Sequence, residues 1–322
     1  LAPADSKEAL PAEADIKKWM LATEDSKIEK YKEPEAATAL PGAVAKPGSI
    51  HQVKQYDEVG VTEWVLSNGA RVILKPTSNQ EDKILINAFS FGGTALYNQQ
   101  DYDAASLAVP ITMQGGVAGL DPEALSKLLA GKMVQYQPFI SDYTEGFGAG
   151  SSKKDIETCL KLIHLYFTKT GLNESVVTGM LRNTRLELEK RNQVPGNIFM
   201  DSVNTFMTAG HWRKQPMTVQ RLDAVKPARA VEIYKERFAD AADFTFLITG
   251  SYQPDSIKAL VEQYIASLPA LNKKEEVVDM GIHFADQSRT IMLKQELENK
   301  ATVQIVIPGA YKGTPWANVQ LN

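Results

Sequence analysis

The sequence predicts an α+β fold: a mixed or antiparallel sheet covered by helices, followed by a second α/β unit that breaks off early. Three observations carry this reading. Short β-type runs stand before and between long helical stretches, an Asn68-Gly69 turn joins two of those runs, and the apolar positions of the long stretches recur at helical spacing.

Residues 1–58 differ in composition from the rest and read as a connector with the possible tail of a preceding domain. A short helical pattern around Ile16, Trp19, Met20 and Leu21 gives way, over residues 31–48, to a stretch rich in Pro, Ala and Lys that packs poorly. Residues 32–48 are expected to be irregular and mobile.

Residues 59–270 read as one folded unit. Trp64-Val65-Leu66 and Arg71-Val72-Ile73-Leu74 flank the Asn-Gly turn and make a hairpin, because Asn-Gly accepts the backbone of a tight turn. A third strand over 83–89 leads to Gly92-Gly93. Helical patterns are expected over 102–114 and 122–130, then strands over 132–140 and 143–150, parted by the polar pair Ser141-Asp142. Helices follow over 155–168, 174–191 and 197–208. Pro227 suits the first turn of a helix whose apolar positions are Val231, Tyr234 and Phe238, and residues 244–250 have the continuous apolar character of a buried strand. Ile257, Leu260, Val261, Tyr264, Ile265 and Leu268 show the clearest helical period in the chain.

Residues 271–322 read as a charged connector, with Lys273, Lys274, Glu275 and Glu276 at its centre, and the start of a second α/β unit. Strand-like runs over 290–294 and 301–307 open that unit, and Asn322 comes before the helices that would cover them, so truncation within it is expected. The start at Leu1, with neither a basic nor an apolar leader region, reads as a mature form or an excised piece.

Composition excludes classes rather than choosing one. Across 322 residues, 43% hydrophobic and 23% charged residues describe an ordinary globular chain with a sizeable core. A net charge of −4 with scattered Lys and Arg leaves no basic surface for nucleic acid, and no apolar run reaches the length of a membrane span. The single cysteine, Cys159, shares an apolar helix face with Ile156, Leu160, Ile163 and Phe167, and reads as a small buried hydrophobe.

Several stretches resemble the non-catalytic halves of pitrilysin-type (insulinase-type) zinc peptidases, in particular bacterial, processing-protease-like members. They are residues 56–64 (YDEVGVTEW), 66–72 (LSNGARV), 89–94 (FSFGGT), 128–132 (LLAGK), 143–147 (YTEGF) and 234–240 (YKERFAD). The resemblance implies a protein of two similar halves that close as a clamshell over an unfolded peptide. One half holds zinc through H-x-x-E-H on a helix with a distal Glu, the two His facing one metal and the Glu serving as base on its water.

This chain lacks that motif. Its four histidines, His51, His164, His211 and His283, are followed at the third position by Lys54, Phe167, Lys214 and Asp286. An ungapped placement sets Ala105, Ala108 and Val109 where an active half carries the two His and the Glu, and these side chains cannot ligate or take a proton. Glu187 and Glu189 fall where the distal ligand would lie and read as solvated helix carboxylates. His164 reads as a packed or edge histidine, and His211, after a glycine at a helix end, as a cap or loop contact. Gly92-Gly93 fits neither phosphate-loop pattern and reads as a tight strand-to-helix turn, while Cys159 and His164, five apart on a helix, do not form a nucleophile pair. The Arg and Tyr that the family's non-catalytic half offers to substrate come from a segment placed beyond Asn322.

No catalytic residue, metal ligand or cofactor is therefore assigned to this chain, and zinc is expected in a partner half. The function expected is the substrate-enclosing, non-catalytic half of a zinc metalloendopeptidase in the bacterial periplasm or cell envelope, by family resemblance. Its partners are expected to be the catalytic half and a peptide substrate, with apolar surface left for self-association or for that half. The alternative is a peptidase-like scaffold or interaction subunit, distinguished by the absence of an H-x-x-E-H in the preceding part of the same protein.

Overall fold

The computed structural model describes residues 11–24, 39–42, 46–191, 193–294, 301–307 and 309. Its contacts divide the chain into a short unit, residues 1–36, and a large one, residues 37–322. In the short unit, α1 (Glu13–Glu24) is exposed along its length and carries Ile16, Trp19 and Met20 at i, i+3 and i+4. Most of the stretch expected to be mobile, residues 32–48, lies outside the described residues.

The large unit is built on one sheet. Its strands in chain order are β1 (Ile50–Tyr56), β2 (Val61–Leu66), β3 (Arg71–Pro76), β4 (Ile84–Phe91), β5 (Val134–Ile140), β6 (Thr144–Ser151) and β7 (Thr245–Gly250). In space they form a seven-stranded sheet in the order β1-β2-β3-β7-β4-β6-β5. Every neighbouring pair is antiparallel except β3 and β7, so the sheet is mixed as the sequence predicts.

The hairpin turn between β2 and β3 forms where expected. Gly69 takes φ 84°, and the Asn68 amide donates to the carbonyls of Ile265 at 2.9 Å and Leu268 at 3.1 Å, tying the turn to the end of the last helix. Residues 50–56, read from the sequence as connector, instead form β1 and pair with β2. Their run Ile-His-Gln-Val-Lys-Gln-Tyr is mostly polar, and only pairing with β2 makes a strand of it.

The helices are α2 (Tyr102–Ser106), α3 (Ala108–Gly115), α4 (Pro122–Leu129), α5 (Ile156–Thr168), α6 (Glu174–Arg191), α7 (Pro195–Met207), α8 (Val219–Ala224), α9 (Pro227–Arg237) and α10 (Pro254–Tyr264). The expected continuous helix over 102–114 is in fact two, parted at Leu107. Pro110 explains the break, because it has no N–H for the carbonyl four residues back and is tolerated only in a first turn. Restarting the helix at Ala108 gives Pro110 that place.

The core lies on one face of the sheet. Leu66, Val72, Leu74, Ile86 and Ile248 point into it, against Leu160 and Ile163 of α5, Tyr234 of α9 and Val261 of α10. Phe167 stands at its centre, with the rings of Phe147, Phe238, Phe244 and Phe246 between 5.1 and 6.4 Å away. Each such fully buried ring contributes about 1.5–3 kcal/mol of apolar burial. Cys159 is fully buried among these residues, as the helix pattern predicts.

The runs at 290–294 and 301–307, expected as strands, are not strands. Neither pairs with another segment among the described residues, and Val303, Ile305 and Ile307 are more than 80% exposed. Alternation alone does not make a strand: without a partner ladder the backbone groups stay with water.

Candidate functional site

Ala105, Ala108 and Val109, which the ungapped placement sets against the zinc motif, lie at the α2–α3 break. Ala105 lies in the last turn of α2 and is 1% exposed; Ala108 opens α3 and is fully buried; Val109 packs against the same core. Two methyl groups and an isopropyl group offer no lone pair to a metal and no proton to a water. Both α2 and α3 pack against α9.

The turn leading to this helix is closed to ligands for a second reason. Gly92 takes φ 142° and Gly93 φ 61°, both in the region that favours glycine, and a Cβ on Gly93 would sit 2.5 Å from the Ser141 carbonyl oxygen. The backbone N–H groups that could cradle an anion are already spent: Gly92 donates to Tyr143 O, Thr94 to Ser141 O and Ala95 to Asp142 O, each at 2.8 Å. Gly93 donates to the Glu145 carboxylate at 2.6 Å. The tight-turn reading of Gly92-Gly93 agrees with this geometry.

Glu145, at the start of β6, is 1% exposed and belongs to a cluster of charge that the sequence did not announce. Arg237 at the end of α9 comes within 3.6 Å of it and makes a two-pronged pair with Glu275. Burial pushes the Glu145 carboxyl up to about 8, against the pull of Gly93 N–H and Arg237 and with the help of Glu275 and Asp243. A 3.6 Å contact with an arginine would ordinarily hold a carboxylate low. Here Glu275 already engages that arginine, so burial wins.

The candidate residues remain apart. His51 lies exposed on β1, His283 exposed on the segment after α10, and His164 buried in α5. The His164 Nδ1 is 3.5 Å from Thr168 Oγ1 and its Nε2 has no partner; burial first, then Lys169, holds its pKa below the ordinary value. His211 caps a short 3-10 turn, accepting from Arg213 N–H at 3.3 Å, as its place after Gly210 suggests. Glu187 and Glu189 are exposed, and Glu189 pairs with Arg185 at 3.2 Å. Burial pushes the Cys159 thiol up to about 12, which leaves it a poor nucleophile. Among the described residues no group of three His, Cys, Asp or Glu side chains could hold a metal ion.

The other face of the sheet is open. Along β4 burial alternates strictly, and Leu85, Phe89 and Phe91 stand 40–44% exposed, with Phe139 of β5 and Tyr143 at 38% beside them. Between these strands β6 contributes Gly146, Gly148 and Gly150, paired with Phe89, Asn87 and Leu85. Such an exposed aromatic surface, left uncovered among the described residues, can hold extended apolar peptide by contact. Residue types alone did not reveal it, because exposure depends on which face the helices cover.

No family model matches the chain. In sequence it is similar to a "Zinc protease PQQL-like" protein of Arabidopsis thaliana, 28% identical over 224 residues, 69% of this chain and 21% of the relative. A "Probable zinc protease PqqL" of Haemophilus influenzae is 24% identical over 284 residues, 86% of this chain and 30% of the relative. The chain thus spans between 21% and 30% of the length of these relatives. The structure of the periplasmic protease PqqL from Escherichia coli superposes with TM-score 0.70 at 21% identity, over 89% of this chain and 32% of that one. That of the peptidase M16 inactive domain from Pseudomonas fluorescens does so with TM-score 0.53 at 18% identity, over 68% of this chain and 54% of that one. In sequence the chain is similar to these zinc proteases, and its fold is that of one half of a pitrilysin-type peptidase.

Proposed function

We propose that this chain is the non-catalytic, substrate-enclosing half of a two-half zinc metalloendopeptidase acting on peptides or unfolded protein, with zinc and catalytic base supplied by the companion half. The observation that carries the reading is the pair of buried alanines, Ala105 and Ala108, packed into the core where a catalytic half would need ligands. The open aromatic face of the sheet supports the enclosing role, since extended apolar substrate would lie against Phe89, Phe91 and Phe139.

On this reading no residue of the chain is catalytic or metal-binding, the peptidase-like unit read from the sequence over residues 59–270 takes in strand β1 as well, and residues 271–322 lead into a second one. The compartment proposed is the bacterial periplasm or cell envelope; the Escherichia coli relative is described as a periplasmic protease. No helix among the described residues is long and apolar enough to cross a membrane.

The test is to add this chain to the companion half and follow hydrolysis of an unfolded protein. Hydrolysis that is abolished by chelator, and whose KM falls when the chain is present, is the expected result. A companion half that cleaves equally well alone would leave only the scaffold reading.

A further inference from the structure

The segment after α10 has no regular secondary structure over residues 269–280, yet five hydrogen bonds from side chains at the end of α9 and in the α9–β7 connection hold its residues Leu271, Lys273 and Glu275. The Asp240 carboxylate accepts from the backbone N–H of Leu271 at 2.8 Å and of Lys273 at 2.6 Å, and the Asp243 carboxylate accepts from Glu275 N–H at 3.1 Å. Arg237 completes the attachment by its two-pronged pair with Glu275. Gly92 makes room for that pair, since a Cβ there would meet Arg237 Nη1 at 2.6 Å and Glu275 Oε2 at 2.8 Å.

We propose that Arg237 and the carboxylates around it, Glu145, Glu275 and Asp243, form a proton-controlled latch that fastens residues 271–276 to the end of the sheet. The geometry gives one buried guanidinium to several acids. Glu145 faces Gly93 N–H from the turn, Arg237 from α9, Glu275 from the segment and Asp243 from the turn before β7. Arg237 also donates through Nε to Tyr97 Oη at 3.0 Å, and Tyr97 in turn donates to Glu236. Asp243 accepts from Ser90 at 3.0 Å. Lys273 lies 3.4 Å from Glu275, but it is 72% exposed and screened by water.

With a proton on Glu145, Arg237 serves Glu275 undivided. Loss of that proton adds a negative charge in a buried place where, among the described residues, Arg237 is the one cation paired with it. Glu145 and Asp243 are fixed by the sheet and its connecting turn, so the repulsion acts on the least restrained member, Glu275, and through it on the segment. Burial already sets the Glu145 carboxyl far above its ordinary range, which brings this transition to mildly alkaline pH. The device lies on the path by which the chain leaves this unit, and it would let pH set how firmly that exit is held, whatever the companion half does.

Trypsin tests it, because Lys273 and Lys274 lie inside the latched segment. Cleavage at those two bonds is followed by mass spectrometry in the native chain from pH 6.5 to 9, each rate divided by that of the unfolded chain at the same pH. The wild type should show a rise of roughly five- to tenfold across this range, and Glu145→Gln should stay flat near the low-pH value. Glu275→Gln should be cut fast at every pH, which keeps the test decisive if Glu145→Gln folds poorly. A wild-type ratio that does not change, a parallel rise in Glu145→Gln, or wild-type behaviour in Glu275→Gln would each overturn the latch.

Discussion

Arg213 holds its guanidinium 4.4 Å from the ring centroid of its neighbour Trp212. The ring of Tyr102 lies 5.1 Å away from the same group, and the guanidinium donates to the carbonyls of Thr94 at 2.9 Å, Ala95 at 3.3 Å and Tyr97. This buried cation is satisfied by backbone oxygens and aromatic faces rather than by a carboxylate, and burial holds its pKa below the ordinary value. It pins the turn between β4 and α2. Arg213→Ala would orphan those carbonyls, and a loss of about 2–4 kcal/mol in urea unfolding is expected. Arg213→Lys should recover only part of it, since an ammonium cannot reproduce the planar fork. A loss under about 0.5 kcal/mol for Arg213→Ala would show that the turn holds itself.

Glu145 makes stability depend on pH with a definite sign. Its folded pKa of about 8 is above the ordinary 4.5 of a glutamate, so between these values the native state keeps a proton that the unfolded chain releases. The Glu145 contribution therefore falls as pH rises through that window, by an amount on the order of 2–4 kcal/mol. Glu145→Gln keeps an acceptor for Gly93 N–H and removes the titration. Urea midpoints at pH 5.5 and pH 8 should differ less in the variant than in the wild type; equal differences would place the titrating group elsewhere.

Neighbouring glycines of β6 should respond very differently to the same methyl group. A Cβ on Gly146 would lie 2.0 Å from Ala88 O and 2.9 Å from the Phe139 ring, whereas one on Gly148 meets nothing nearer than Asn87 Oδ1 at 3.5 Å. Gly146→Ala should cost about 3 kcal/mol or more, because backbone must move. Gly148→Ala should stay within about 1 kcal/mol of wild type and could stabilise by stiffening the unfolded chain. Thermal melts of the two variants decide it, and equal shifts would contradict the packing described.

Much of the architecture was legible because local signals coincide with tertiary ones. The six-position period ending at Leu268 gave α10 and the Asn68-Gly69 pair gave the hairpin, while the two ends of α6 fall at the residues expected. The misses arise where a local pattern and actual pairing part company. β1 is a strand only because β2 lies beside it, and 301–307 alternates like a strand without becoming one. Pro110 was a readable signal for the α2–α3 break, obscured by the small apolar residues around it. At the candidate site the absence of the zinc motif was readable residue by residue. The Glu145, Arg237 and Glu275 cluster was not, since these residues are brought together across 92 and 38 positions of chain.

The central claim is that this chain holds no zinc centre and cleaves nothing alone, and metal analysis coupled to a peptide assay tests it most directly. A catalytic zinc ordinarily takes three protein ligands and an open position for water, and the four histidines here lie on four separate segments. After dialysis against metal-free buffer, the account predicts no stoichiometric zinc and no hydrolysis of a quenched peptide, with or without chelator. Roughly one zinc per chain together with chelator-sensitive hydrolysis would contradict it.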